Sequence, residues 1–265
     1  MITVVRNFEA NYPEDPIRFF NFEDYNEDTK DCILFIGAHP HNSISNPNNL
    51  PKYFLSTEEQ TWDLDSTDRY VPFVEKIFTI CDPKFTNRAK REFSFFPTNQ
   101  KMLPTTFDKE YDVIYTGYAN ATHVSDLLGV IRNYNYVYAS FGSTNPFVTH
   151  TNVTYADKLS LISKSKITVV HNLNGNNTPQ LKSRPFEAAL CKSLILCKKD
   201  DWNFIETWYE EGKEFLYYTD GNDLKEKIDE VLSNYSSYQE IINNAYQRSI
   251  ENYTTEAFVN KHFKK

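Results

Sequence analysis

Short runs that are apolar on both faces recur along this chain, and in its second half each is followed by a stretch of helical period. That alternation constrains the fold more than any other feature of the sequence. Tyr111-Asp112-Val113-Ile114-Tyr115-Thr116-Gly117 reads as a strand closed by glycine. Residues 123–133 follow as a helix, with Val124, Leu127, Leu128 and Ile131 three and four apart, and 134–141 as the next strand. The pattern continues with a helix at 155–163, a strand at 167–170, a helix at 184–191 carrying Pro185 in its first turn, and a strand at 193–197. Strand, helix and strand in that order build a parallel sheet. Beyond it, 202–209, 223–232 with Asp223 as N-cap, a helix capped by Ser236 or Ser237 and running through Ile241, Ile242, Ala245 and Ile250, and 255–263 read as helices.

The first half carries the same signal in reduced form. Cys32-Ile33-Leu34-Phe35-Ile36 is a buried-strand run closed by Gly37 and a loop rich in Asn and Pro. Tyr53 to Ser56, Lys76 to Ile80 and Phe93 to Phe96 are similar runs, and 68–74 suits a short helix. The first thirty residues show no sustained period and read as an irregular or weakly stranded lead-in. Leu103-Pro104-Thr105-Thr106 is broken by proline and polar, so we divide the chain into domains 1–104 and 105–265, with the last helix free to pack on the first.

Composition removes several classes of function. A net charge of -8 lacks the basic face that binding the phosphate backbone of a nucleic acid requires, so no nucleic-acid partner is expected. No apolar run approaches the roughly 20 residues of a membrane span, and Arg6, Glu9, Glu14 and Asp15 interrupt any leader-like stretch; the expectation is a cytoplasmic protein. Cys32, Cys81, Cys191 and Cys197 form no paired motif and are expected as reduced, buried thiols. Triplets such as Asn152-Val153-Thr154 arise by chance in so Asn-rich a chain.

In open parallel sheets ligands bind at the carboxyl ends of strands, where loops run into helix starts. The loop before Arg184 is in that position. Lys182, Arg184 and the amides near Pro185 suit a diphosphate, and Glu187, one turn on, suits the hydroxyls of a ribose. The competing reading makes Lys182 and Arg184 surface charges, one of them paired with Glu187. The segment Ser183-Arg184-Pro185-Phe186-Glu187-Ala188-Ala189-Leu190-Cys191-Lys192-Ser193-Leu194-Ile195-Leu196 resembles the donor segment of GT-B glycosyltransferases of group 1, especially those similar to the spore-maturation protein CgeB. Glu211 to Tyr218, Asp223-Leu224, Phe96-Pro97 and the strand ending at Gly117 follow the same order, and the resemblance spans about residues 110 to 258.

That resemblance implies an α/β fold of two Rossmann-like domains whose parallel sheets face each other across a cleft, the N-terminal one reduced and the C-terminal helices packing back. It implies a glycosyltransferase, a hexosyl- or pentosyltransferase, moving a sugar from a UDP- or GDP-linked donor to a hydroxyl on a glycan or other acceptor. Glu187 would hold the ribose, with Arg184, Lys182, Ser183 and Phe186 lining the donor site and Gly117 letting the chain approach the ligand. No metal or other cofactor is expected, because cationic side chains and a helix dipole can neutralise the leaving diphosphate. The alternative is a non-catalytic nucleotide- or carbohydrate-binding protein on the same scaffold. Pro179 stands eight positions before Glu187, where retaining members often carry a second Glu, so the stereochemical outcome is left open. Lys192-Ser193 replaces the usual glycine after the helix.

For the catalytic base, His39 in the loop after the first buried strand is the leading candidate and Glu58 and Glu59 are the alternatives, since an inverting transfer needs a group to take the acceptor proton. Asp63-Leu64-Asp65 matches the metal-binding D-x-D pair of GT-A transferases but follows a mostly polar run, so it reads as an acidic loop.

Overall fold

The computed structural model describes residues 1–7, 22–37, 44, 49–56, 68, 71–80, 89–117, 122–140, 145–173 and 180–265. The chain divides into two compact units, one of residues 1–100, 178–181 and 252–265 and the other of 101–177 and 182–251.

In the first unit β1 (Ile2–Asn7), β2 (Cys32–Gly37), β3 (Lys52–Ser56), β4 (Lys76–Thr79) and β5 (Arg91–Phe93) form a wholly parallel sheet in sequential order. Of the two readings of the N-terminus, β1 is the stranded one: it pairs with β2 along its whole length, Ile2 opposite Cys32 through Asn7 opposite Gly37. Phe35, Ile44, Phe54, Val74 and Ile77 make one apolar cluster of this unit. A second is aromatic: the terminal helix Thr255–His262 sets Phe258 4.9 Å from the ring of Phe78, and Phe263 stands edge-on to Tyr53 at 5.1 Å. Of the helix expected at 68–74, Asp68 is helical and Val71–Phe73 form a 3-10 turn, while residues 69 and 70 lie outside the described residues; the strand expected at 93–96 lies earlier, at β5.

In the second unit the order is β11-β10-β9-β6-β7-β8, again parallel throughout. Its elements are β6 (Tyr111–Thr116), α1 (Thr122–Ile131), β7 (Tyr136–Ser140), β8 (His150–Thr151), α2 (Tyr155–Ser163), β9 (Ser165–Val170), α3 (Arg184–Leu190), β10 (Leu194–Lys198), β11 (Leu216–Tyr218), α4 (Gly221–Ser233) and α5 (Gln239–Asn252). Alternate residues of β6 point to opposite faces, so Val113 and Tyr115 join the cluster with Leu127, Ile131, Leu224 and Ile228. Ile114 joins the other, with Leu159, Ile162 and Cys191. The strands and helices expected over this unit are found with one exception, residues 202–209, which hold only a 3-10 turn at Phe204–Thr207; β8 and β11 are additional strands. Two caps differ: α4 is capped by Asp220, whose side chain accepts from the amides of Asn222 and Asp223, rather than by Asp223, and Ser236 and Ser237 lie within a 3-10 turn at Tyr235–Tyr238 that runs into α5.

The described cysteines Cys32, Cys191 and Cys197 are free and buried, and burial pushes their thiols up, that of Cys32 to about 11. Cys81 lies outside the described residues. Among the described residues no helix is long and apolar enough to cross a membrane.

Candidate functional site

β6 has β7 on one side and β9 on the other, so the chain order reverses between β6 and β9. Loops leaving neighbouring strands in opposite directions open a crevice at that point, and ligands of open α/β sheets settle there. The residues at the carboxyl ends of these two strands are polar and tied together. The Tyr115 hydroxyl lies 2.8 Å from Nε2 of His171, and the two rings stack at 5.7 Å. Because the Leu173 amide donates to Nδ1 of His171, the proton sits on Nε2 and is donated to the tyrosine oxygen. Burial raises the Tyr115 pKa, against the pull of Arg184, so the phenol stays protonated at neutral pH.

Arg184 stacks on the Tyr115 ring at 5.2 Å from its centroid. Gly117 makes this possible: its φ is 150°, and a Cβ there would collide with Nη2 of Arg184 and lie 3.0 Å from its Cζ. The space expected to admit a ligand beside Gly117 is therefore taken by the guanidinium, and the glycine serves the site through Arg184. Nη1 of Arg184 is buried without a hydrogen-bond partner.

Arg184 opens α3. Ser183, at the N-cap, has φ −68° and ψ −24° and makes no side-chain capping bond, while Pro185 sits within the first turn. Lys182 and Ser183 are half-buried. Phe186 belongs to the core, its ring 5.8 Å from both Trp208 and Tyr209.

Glu187 is the buried centre of the arrangement. It is 0% exposed, where the sequence reading has an acid open to a ribose, and its partner is neither Lys182 nor Arg184. Lys158 Nζ donates to Oε1 at 2.8 Å and the Tyr155 hydroxyl donates to the same oxygen at 3.1 Å. Oε2 is buried with no hydrogen-bond partner. Both donors come from the first turn of α2, which a capping box holds: Thr154 Oγ1 accepts from the Asp157 amide, and the Asp157 carboxylate accepts from the Thr154 amide. Residues three apart share a helix face, so Tyr155 and Lys158 reach one target together. Sequence reasoning missed Tyr115, Tyr155, Lys158 and His171. Each contact joins residues far apart in the chain, and only their place at strand or helix ends marks them.

His39, Glu58, Glu59, the Asp63-Leu64-Asp65 triplet and Pro179 lie outside the described residues. Among the described residues no group of three or more His, Cys, Asp or Glu is arranged to hold a metal ion.

The model of the family described as "Glycosyl transferase-like" matches residues 123–262, which includes Lys158, Arg184 and Glu187. No curated protein sequence matches the chain. Among solved structures it is similar to TarM, with a TM-score of 0.61 at 13% identity, covering 91% of this chain and 56% of TarM. It is similar also to sucrose-phosphate synthase from Thermosynechococcus elongatus, with a TM-score of 0.63 at 10% identity over 87% of this chain and 71% of that one. Anabaena HepE in complex with UDP and glucose gives a TM-score of 0.62 at 10% identity, covering 88% and 77%. The chain thus spans little more than half the length of TarM. Two parallel α/β units, the likeness of their fold to these structures and a family match over more than half its length agree: the chain belongs to the glycosyl transferase-like family and has the GT-B fold.

Proposed function

We propose that this protein transfers a sugar from a UDP- or GDP-linked donor to a hydroxyl on a glycan or other acceptor, without a metal ion. The observation that carries the reading is a pair of orphaned atoms one turn apart on α3, Arg184 Nη1 and Glu187 Oε2, both buried and both without a partner. Folded proteins satisfy nearly all buried polar groups, so a cationic donor and an anionic acceptor left over together point to a ligand that has an anion and hydroxyls. A nucleoside diphosphate has both. Arg184, with Lys182, neutralises the diphosphate as it leaves, the task a divalent cation performs in other transferases, and Glu187 accepts from the ribose. The likeness to HepE, a structure containing UDP and glucose, supports the same class of donor.

In the transfer, the acceptor oxygen bonds to the anomeric carbon as the bond from that carbon to the diphosphate oxygen breaks. The hydroxyl proton passes to a base, for which His39 is the first candidate and Glu58 the second.

A panel of UDP- and GDP-sugars read by thermal unfolding tests the proposal. The right donor at a hundred times its Kd adds about 2.7 kcal/mol to the unit that binds it, raising its melting temperature by several degrees. Glu187→Ala abolishes that rise, and transfer or slow donor hydrolysis persists in EDTA. An undiminished rise in the variant overturns the site assignment; binding with neither transfer nor hydrolysis shows a non-catalytic binding protein instead.

A further inference from the structure

A carboxylate with both oxygens clear can take the two neighbouring hydroxyls of a ribose side by side, one on each oxygen. Glu187 is not so placed. Oε1 already accepts from Tyr155 at 3.1 Å and from Lys158 at 2.8 Å, which fills its two lone-pair positions. Oε2 accepts from nothing, although it is buried. The Lys158 ammonium is also held over the Tyr155 ring, 4.4 Å from its centroid, so the two donors form one clamp rather than two independent contacts. The capping box at Thr154 and Asp157 fixes the turn that carries them.

We propose that Lys158, with Tyr155, is a positioning residue that orients Glu187 and determines how the donor is read: the clamp closes Oε1 and leaves Oε2 as the sole acceptor, so the site grips one ribose hydroxyl and is indifferent to the other. This rests on the assignment of Glu187 to the ribose made above. It adds a specificity that the assignment alone does not imply, namely tolerance of a nucleotide lacking one particular hydroxyl. The clamp acts before chemistry, on donor binding, so its loss raises KM for the donor with little change in kcat. A guanidinium in place of the ammonium can still donate to Oε1, whereas a methionine fills the space and donates nothing.

The test measures Kd for UDP and GDP, and for the 2′-deoxy and 3′-deoxy forms of the better binder, on the full chain and on Lys158→Met, Lys158→Arg, Tyr155→Phe and Glu187→Gln. Expected for the unaltered protein is a loss of tenfold or more with one deoxy analogue and less than threefold with the other. Expected for Lys158→Met is a tenfold or greater weakening of the diphosphate, a rise in donor KM without a matching fall in kcat, and recovery to within about threefold in Lys158→Arg. Tyr155→Phe, which keeps the ion pair, weakens binding by two- to fivefold and serves if Lys158→Met does not fold. Equal tenfold losses with both deoxy analogues overturn the proposal, as does wild-type affinity in both Lys158→Met and Tyr155→Phe. If Glu187→Gln binds the diphosphate as tightly as the unaltered protein, or neither diphosphate binds, the ribose assignment itself falls and the clamp with it; weak binding in Glu187→Gln beside wild-type binding in Lys158→Met sinks the clamp alone.

Discussion

One methyl group added at Gly117 carries two separable costs. The backbone there has a φ of 150°, which L residues rarely adopt, and the methyl would occupy the space of the Arg184 guanidinium. The first cost is about 1–3 kcal/mol and belongs to Gly117 alone; the second exists only while Arg184 is present. A double-mutant cycle separates them. Gly117→Ala is expected to destabilise the protein to chemical denaturation and to remove donor-induced stabilisation, because Arg184 must leave the Tyr115 ring. In an Arg184→Ala background the same substitution costs only the backbone part, so the two changes together destabilise less than their sum. Strict additivity would show that the guanidinium does not depend on the glycine.

At the C-terminus of α3 the usual glycine is absent, yet the geometry that favours it is kept. Lys192 has φ 52°, its amide donates to Ala189, and the Ser193 amide donates to Ala188, the paired bonds of a Schellman turn. The lysine is retained by its side chain: Nζ lies 5.1 Å from the Phe107 centroid and 4.5 Å from that of Tyr246. Lys192→Gly and Lys192→Ala both lose the ammonium, so the difference between them isolates the left-handed backbone. We expect the glycine variant to be more stable than the alanine variant by about 1 kcal/mol in equilibrium unfolding. The same logic at α4 predicts that Asp220→Ala costs about 1 kcal/mol and that Asp223→Ala does not remove the cap, since Asp223 accepts from the Thr219 amide outside the helix. Two acids three residues apart look alike in sequence, which is why the cap was legible in kind and not in position. The turn at 202–209 failed for a related reason. Its aromatics recur at helical spacing, but Asp200 takes the amides of Trp202 and Asn203, and Asn203 turns left-handed with φ 48°, so no α-helix can start there.

Over the whole molecule, most of the parallel strands were legible because each longer buried run carries its own signal, whereas β8, of two residues, and β11, of three, are too short to carry one, and pairings across long stretches of chain were not legible either. Nothing local joins Lys158 to Glu187 or Tyr115 to His171; the sequence marks the helix start, and the fold supplies the partners. The same is true of the last residues, which return to the first unit and bring His262 into its aromatic cluster, 4.6 Å from Phe78 and 4.7 Å from Phe258. The charged groups facing it are Glu92, whose Oε1 is 3.8 Å from Nε2, together with Lys261 and Lys76. Burial drives the imidazole pKa down from 6.5 to about 4, over the opposing attraction of Glu92. Between those values the unfolded chain holds a proton at this position that the folded chain does not, so stability rises with pH. The contribution is complete above pH 6.5 and is lost as the pH falls toward 4, a total of about 3 kcal/mol at about 1.4 kcal/mol per pKa unit. His262→Gln removes this dependence. Comparing urea unfolding of the two proteins between pH 6.5 and 5, a range above the lowered pKa of Glu92, should show a steeper fall in the unaltered protein; identical slopes would place the imidazole in contact with water rather than in the aromatic cluster.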